Sequence, residues 1–443
     1  MLTISDAFDR LLACVIPLEP ELMPLDECLG LTLAENVVSA DDSPPFDKSL
    51  MDGFAVRSID FVGSSATLDV VDVITAGQVP TRRLEQGEAI QIMTGAPIPD
   101  GADLVVRIEE AVVNASRVRM TTQTVTPGSN ILRRGTSVTT GDVVLRAGMK
   151  LNGSRIGALA ELGRGQVLVY RRPRVAVLAT GDELVSIDVQ PGPGQIRNSN
   201  QSMLAAQIQS EGATAVLLGI ARDDRDDLRA KIELGIECDM LVLSGGVSAG
   251  TLDLVPSVLA AAGVNELFHK VEMKPGKPVW FGHRTIPGSS SKNAEREPPQ
   301  LARLKTEDNE EGVMEVDQDN HARLEKPVKV HRTYVFGLPG NPVSSLVCCE
   351  LFVRTAIRQL MGESSVLPQS VPARLEHEYS AKADRPTYHP ARLTWSPQGP
   401  TVTLVPWHGS SDLCATVAAN AMAFLSGEAR QLHAGDTLET IAW

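Results

Sequence analysis

Three short segments set residues that could do phosphate chemistry beside turn-forming glycine or proline. In SGGVSAGTLD (244–253) two glycines and two serines follow an apolar run. Ser244, Gly245, Gly246 and Ser248 would present backbone amides and hydroxyls to a phosphate without any basic side chain. Asp253 closes the segment, where a metal ion or a ribose hydroxyl could meet it; the plainer alternative is a glycine loop that only reverses the chain. ATGDELV (179–185) puts Asp182 and Glu183 at the end of another apolar run. Carboxylates there can hold Mg2+, whose preference for hard oxygen ligands suits phosphate chemistry, while Asp182 could equally cap a helix. VEMKPGKPVWFG (271–282) sets Lys274 and Lys277 on either side of Pro275-Gly276. A tight turn would bring both ammonium groups onto one anion, unless it is merely a solvated hairpin turn.

Three more segments are candidates. SPPFDKSLMDGFAV (43–56) has two stiffening prolines and, at Gly53, a free turn next to Asp52; a Pro-rich turn with Asp52 capping an amide is the alternative. In IMTGAPIPDGADLVVRIEE (92–110), the Thr94 hydroxyl and the amides opened by Gly95 suit an oxyanion, or form an ordinary β-turn. GLPGNPVSS (337–345) turns at Gly340-Asn341, and Pro342 suits the first turn of a following helix. Ser344 and Ser345 would then stand at a helix N-terminus, as an anion site or as a well-made cap. No Ser/His/Asp triad is evident, and the eight histidines lack metal spacing.

Periodicity indicates the elements that must position these segments. Ile4, Ala7, Phe8, Leu11 and Leu12 recur at helical spacing, and residues 65–150 read as short strands broken by Gly and Pro. A short helix is expected near Ser154–Leu162. From residue 173, strand and helix alternate: RVAVLAT, then a helix over Asn200–Glu211, TAVLLGI, a helix over Asp224–Ile236, DMLVLSGG, and a helix over Leu254–Ala262. That alternation argues a doubly wound α/β domain with a mostly parallel sheet. Its ligands would bind beyond the carboxyl ends of the strands, so TGDEL, RDD and SGGVSAGTLD would crowd one rim. Residues 284–332 are polar, charged and poor in aromatics, and read as a mobile surface insert without a core of their own. YVFGLPGNPVSSLVCCELFVRTAIRQLMG then supplies one more strand and a long helix, with Cys348 and Cys349 as core thiols. After Leu367-Pro368 the pattern becomes β-like.

Composition narrows the function. The 443 residues carry a formal charge of −14, a field that repels nucleic acid and anionic membrane. No run of 18 apolar residues is present, and the opening MLTISDAFDR does not read as a signal peptide. Six cysteines without a CxxC or Cys/His pattern argue against a disulfide framework or zinc site and for a reduced, cytoplasmic setting.

Taken in order, the six segments resemble the molybdopterin molybdenumtransferase family, bacterial MoeA and the E domain of gephyrin. TGDEL, GQIRNSN (194–200), GVSAG, KPGKP and GLPGNPVS are especially close, and HGSSDLCATVAANAMAFL (408–425) is similar to the family's C-terminal motif. Departures fall at Leu50, Phe54, Ser137, Leu254 and around His408. The resemblance implies a multidomain α/β plus β protein: a central molybdopterin adenylyltransferase-like α/β domain with β-rich N-terminal domains and a C-terminal β domain. It implies a discontinuous dimerisation domain (1–45 and 141–172), a β-rich second domain (46–140), the α/β domain (173–365, with the insert 284–332) and a C-terminal β domain (366–443). A homodimer is implied, its site formed with the partner subunit's second domain. The implied reaction takes adenylylated molybdopterin, molybdate and Mg2+, and releases AMP. Carried over by motif, Asp52, Thr94, Glu183, Asp224 and Asp253 are catalytic, with Glu183 and Asp253 on Mg2+. Ser244, Gly245, Gly246, Ser248, Lys274, Lys277, Pro278 and Ser344 are substrate-binding. Two other readings stay open: a molybdopterin adenylyltransferase-like enzyme, and a non-catalytic molybdopterin-binding scaffold.

Overall fold

A computed structural model describes residues 1–247, 254–287, 330–380, 385–427 and 431–443. The chain forms two compact units: Met1–Leu18 with Arg172–Met361 and Ser365–Trp443, and Glu19–Arg171 with Gly362–Ser364.

The first unit is built on a six-stranded sheet. Its strands are β1 (Arg174–Thr180), β2 (Thr214–Ala221), β3 (Met240–Ser244), β4 (Asn265–His269), β5 (Trp280–Pro287) and β6 (Val330–Leu338), in the order β2-β1-β3-β6-β5-β4. The pairs from β2 through β1 and β3 to β6 are parallel, whereas β5 pairs antiparallel with β6 and β4. Both faces are covered, which is why β1 and β3 read as continuous apolar runs. Val175, Val177, Met240 and Val242 face one core, and Ala176, Leu178, Leu241 and Leu243 the other. Helices α1 (Ile4–Cys14), α2 (Ser199–Ser210) and α5 (Pro342–Cys348) pack on the first face; α3 (Arg225–Gly235) and α4 (Val255–Ala261) pack on the second.

Helix α1 starts with a capping box: the Thr3 hydroxyl accepts from the Asp6 amide, and the Asp6 carboxylate from the Thr3 amide. Its apolar stripe, Ala7 and Leu11, is buried in the α/β core. The resemblance groups this helix with the N-terminal domain (1–45), and its amphipathic spacing shows which face is buried but not against what.

Two expectations need correction. The long helix after Asn341 is not uniformly α: Cys349–Val353 is a π-helical stretch between α5 and α6 (Arg354–Leu360). Gln207 on α2 donates to the Leu346 carbonyl at 3.2 Å and to Glu350 at 3.1 Å beside that stretch. At the expected insert, β5 and β6 run on as a hairpin through Arg284↔Thr333 to Pro287↔Val330. Ladder hydrogen bonds hold both ends of that segment despite their polarity, and 288–329 lie outside the described residues.

In the same unit Ser370–Leu375, Gly399–Leu404, Thr387–Ser396, Ala421–Leu425 and Thr437–Ala442 close into a barrel. Small interior residues, Ala373, Ala391, Ala421 and Ala423, let it close tightly. The second unit holds a six-stranded sheet with Gly53–Val56 and Glu88–Ile92 side by side. It also holds a smaller sheet and helix Gly153–Glu161 around Leu31, Leu33, Leu159 and Val167.

Candidate active site

Parallel register puts the motifs on one rim. Ala179 of β1 pairs with Ser244 of β3, which pairs with Leu338 of β6, while Thr180 pairs with Ala221 at the end of β2. The segments after these strands therefore leave the sheet together. Gly245 must be glycine: its φ is +101°, and a Cβ would meet the Thr180 carbonyl oxygen at 2.6 Å. Gly246, with φ +67°, likewise has Val255 Cγ2 at 2.6 Å from where a Cβ would stand. Asn200 Nδ2 donates to Ser244 Oγ at 2.7 Å and to the Gly340 carbonyl at 2.7 Å, tying the glycine loop to the turn after β6. Ser248 and Asp253 lie outside the described residues.

The acidic side of the rim departs from expectation. No helix follows Asp182. Gly181 adopts φ +142°, and Leu184–Val185 then pairs with Ile196–Arg197, so Asp182 has no helix to cap and instead accepts from the Asp223 amide at 3.2 Å. The capping residue is Asp224, whose Oδ1 accepts from the Asp226 and Asp227 amides at 3.0 Å each at the start of α3. Glu183 is exposed, and its carboxylate folds back over the bare Cα of Gly181. Among the described residues, no three His, Cys, Asp or Glu gather as a metal cluster.

Beside this rim the Lys274–Pro278 turn, the start of α5 and the barrel's loops line an open cavity of about 370 Å3. The turn is clamped to the barrel: the Lys274 amide donates to the Pro386 carbonyl at 2.8 Å, and the Tyr388 amide to the Lys274 carbonyl at 2.7 Å. Gly276, at φ +105°, rests on Cys348, whose thiol donates to the Gly276 carbonyl at 3.5 Å; a Cβ there would stand 2.5 Å from Sγ. Lys274, Lys277, Pro278 and Ser344 all line the cavity, as do Arg385, Trp407 and Ser410. Ser345, by contrast, is fully buried and gives its hydroxyl to the Pro339 carbonyl. The Val343 amide donates to the Ser410 carbonyl at 3.0 Å, and Asn341 Nδ2 to Ser410 Oγ at 2.9 Å, fixing the barrel loop over α5.

His389 lies buried behind the cavity wall, its ring edge-on to Trp407 with centroids 5.3 Å apart. Its Nδ1 is 2.8 Å from the Pro390 carbonyl, which can only accept, so Nδ1 carries the proton and Nε2 accepts from the Tyr379 hydroxyl at 3.1 Å. Burial depresses the His389 pKa, the Pro390 hydrogen bond opposes, and the Lys274 charge depresses it further. The cationic residues that line the cavity are Lys274, Lys277 and Arg385. Arg385 and Trp407 were missed from sequence because they stand far along the chain from KPGKP, and Ser410 lay within HGSSDLCATVAANAMAFL without being singled out, since spacing along the chain does not show what that segment docks against. Asn200 lay within GQIRNSN, where a polar triplet before a helix was the available signal.

In the second unit, the Asp52 carboxylate accepts from both the amide and the hydroxyl of Thr94. The Thr94 hydroxyl is thus spent on Asp52 and is not turned to an oxyanion, as its sequence context suggests. Gly53 is required because a Cβ would collide with the Val106 carbonyl of the adjacent strand.

Fold and site together define a multidomain protein with an α/β centre, β-rich flanks, a glycine-lined sheet rim and a cationic cavity. A model of the MoeA N-terminal region (domain I and II) matches residues 2–163, one of a probable molybdopterin binding domain residues 176–359, and one of the MoeA C-terminal region (domain IV) residues 372–443. The chain is 31% identical, over 99% of its length and 95% of theirs, to a molybdopterin molybdenumtransferase of Staphylococcus epidermidis; for one of Staphylococcus aureus the figures are 31%, 99% and 94%. Two solved structures of the molybdopterin biosynthesis moeA protein from Pyrococcus horikoshii align with TM-scores of 0.74 and 0.76 at 26% and 24% identity, covering 100% of this chain and 99% and 100% of those. The chain belongs to the MoeA family.

Proposed function

We propose that this chain is a molybdopterin molybdenumtransferase: it joins molybdate to the dithiolene of adenylylated molybdopterin while the phosphoanhydride is cleaved and AMP leaves. The observation that carries this reading is the cavity of about 370 Å3 in which Lys274, Lys277 and Arg385 stand with Ser344 and Ser410. Two lysines and two hydroxyls, with a guanidinium beside them, suit a small tetrahedral dianion, whose charge the lysines offset before it reacts. Pro278 stiffens the turn that carries the lysines. Because the barrel supplies Arg385 and Ser410, the cavity also favours this enzyme over an adenylyltransferase made of the α/β domain alone.

Other roles follow by chemistry. Ser244, Gly245 and Gly246, with Ser248, would receive the substrate phosphates through amides and hydroxyls. The carboxylates of Glu183 and Asp253 are hard oxygen donors, and the exposed Glu183 fits Mg2+, which takes one or two carboxylates and keeps several waters. When bound, Mg2+ would neutralise charge on the phosphoanhydride. Asp224 keeps one oxygen free of its capping bonds for a ligand. Asp52, kept ionised by Thr94, would orient water or an oxygen of molybdate. A cytoplasmic homodimer, with residues 46–140 acting as a separate domain toward the partner's site, completes the proposal. Among the described residues no helix is long and apolar enough to cross a membrane.

The test is incubation of purified protein with adenylylated molybdopterin, Mg2+ and molybdate, following AMP by chromatography. AMP release that requires molybdate supports the assignment. Folded protein that leaves intact substrate unchanged rejects it.

A further inference from the structure

Ser344 and Cys348 stand four residues apart on α5, so they share one face of the helix, one turn from each other. Ser344 lines the cavity. Cys348 is fully buried, and its thiol donates to the Gly276 carbonyl at 3.5 Å. Burial pushes its pKa up, so the thiol keeps the proton that it donates. The Gly276 carbonyl also accepts from the Val279 amide at 3.1 Å, so both of its lone pairs are engaged.

The fit beneath the turn is close. A Cβ on Gly276 would stand 2.5 Å from Cys348 Sγ and 3.1 Å from Met273 Cε. The Val271 amide donates to the Lys277 carbonyl at 3.0 Å, which closes the turn, and the bonds to Pro386 and Tyr388 dock its Lys274 end on the barrel. Neither set ties the turn to α5. Cys348 supplies that tie, at the glycine between the two lysines. One helix therefore carries the Ser344 hydroxyl and also bears the turn from which Lys274 and Lys277 line the same cavity. In a close-packed interior, a change of volume or of bonding at Sγ is passed on to the backbone resting on it.

We propose that Cys348 is a positioning residue for the anion of this cavity: without touching the anion, it sets the spacing between the lysine-bearing turn and Ser344. This rests on the function proposed above, under which the anion is molybdate.

The experiment measures molybdate binding by calorimetry and thermal melting for wild type, Cys348→Ala, Cys348→Val, Cys348→Ser and Ile357→Ala. Ile357, on α6, is buried in the same core and controls for a loosened interior. Cys348→Ala empties the space under Gly276 and should bind molybdate about tenfold more weakly. Cys348→Val fills that space without a donor and should weaken binding by a similar factor; it carries the test if the alanine variant does not fold. Cys348→Ser keeps a donor and should bind within about twofold of wild type. Ile357→Ala should melt lower, as a truncated core residue does, yet bind molybdate like wild type. In AMP release by Cys348→Ala, the molybdate concentration for half-maximal rate should rise while KM for adenylylated molybdopterin stays near wild type. Wild-type affinity in Cys348→Ala or Cys348→Val, equal weakening in Ile357→Ala, a serine variant as weak as the alanine one, or no molybdate binding by wild type would each overturn the proposal. The transferase reading is judged separately: a wild type that binds molybdate but releases no AMP sinks that reading and leaves the positioning role standing.

Discussion

Asp52 Oδ1 accepts two hydrogen bonds from a single residue, the Thr94 amide at 2.7 Å and the Thr94 hydroxyl at 2.7 Å. Strand register makes this possible. Gly53 pairs with Ile92, so the residue before one strand meets the turn after the other. The amide, then the hydroxyl, hold the Asp52 carboxyl below the ordinary carboxylate range, against a small opposing effect of burial.

A depressed pKa keeps Asp52 ionised as pH falls, and its charge is lost only below the usual Asp value of about 3.9. Thr94→Val deletes the hydroxyl but leaves the amide, so the Asp52 pKa should rise toward the ordinary value without reaching it. If ionised Asp52 is needed, the acidic limb of the AMP-release profile should move to higher pH in Thr94→Val. Superimposable limbs for the two proteins would remove Asp52 from the chemistry.

Lys277 and Ser344 line the cavity from different elements. Lys277→Met keeps much of the side chain's length and removes its charge. The molybdate concentration for half-maximal AMP release should rise about ten- to hundredfold, the worth of a hydrogen bond to a charged group. KM for adenylylated molybdopterin should stay near wild type. Equal increases in both constants would move Lys277 from the oxyanion to the nucleotide substrate.

Glu211, at the end of α2, is buried with Arg358 donating to it at 2.8 and 2.9 Å and Arg354 beside it. Burial pushes its pKa up, but the hydrogen bond from Arg358 and the two guanidinium charges outweigh that and lower it. Glu211→Ala would leave two half-buried arginines short of a partner and should cost roughly 3–5 kcal/mol in urea unfolding. Since the folded pKa is lowered, the pair's contribution is complete above the unfolded Glu value of about 4.3 and fades as pH falls through the lower folded value. The wild-type and Glu211→Ala stabilities should therefore converge at acid pH. A constant gap down to pH 2 would contradict the ion-pair account.

Complementation tests the proposed homodimer. Asp52→Ala and Lys277→Ala should each be nearly inactive alone. If each site draws one of these residues from each chain, a mixed dimer has one intact site. Statistical exchange should then restore about a quarter of wild-type activity, as a two-fold interface requires. Activity no higher than that of the separate variants, with exchange verified, would show that both residues serve one chain.

Much was legible in sequence for a simple physical reason. Buried parallel strands must be continuously apolar and must be joined by helices, so RVAVLAT, DMLVLSGG and YVFGL announced the sheet. Parallel connection forces the following segments onto one rim, which placed TGDEL, RDD and SGG together before any coordinates. Local turn chemistry likewise marked KPGKP and GLPGNP. What needed the tertiary structure was every relationship across distant chain segments. Arg385, Trp407 and Ser410 join Lys277 only because the barrel strand starting at Thr387 docks on Lys274. Thr94 gives its hydroxyl to Asp52, Asp224 rather than Asp182 caps a helix, and α1 finds its core on the α/β sheet. Spacing along a chain determines which face is apolar and where a turn falls, but the partner that satisfies a hydroxyl, a charge or an apolar stripe is chosen by packing.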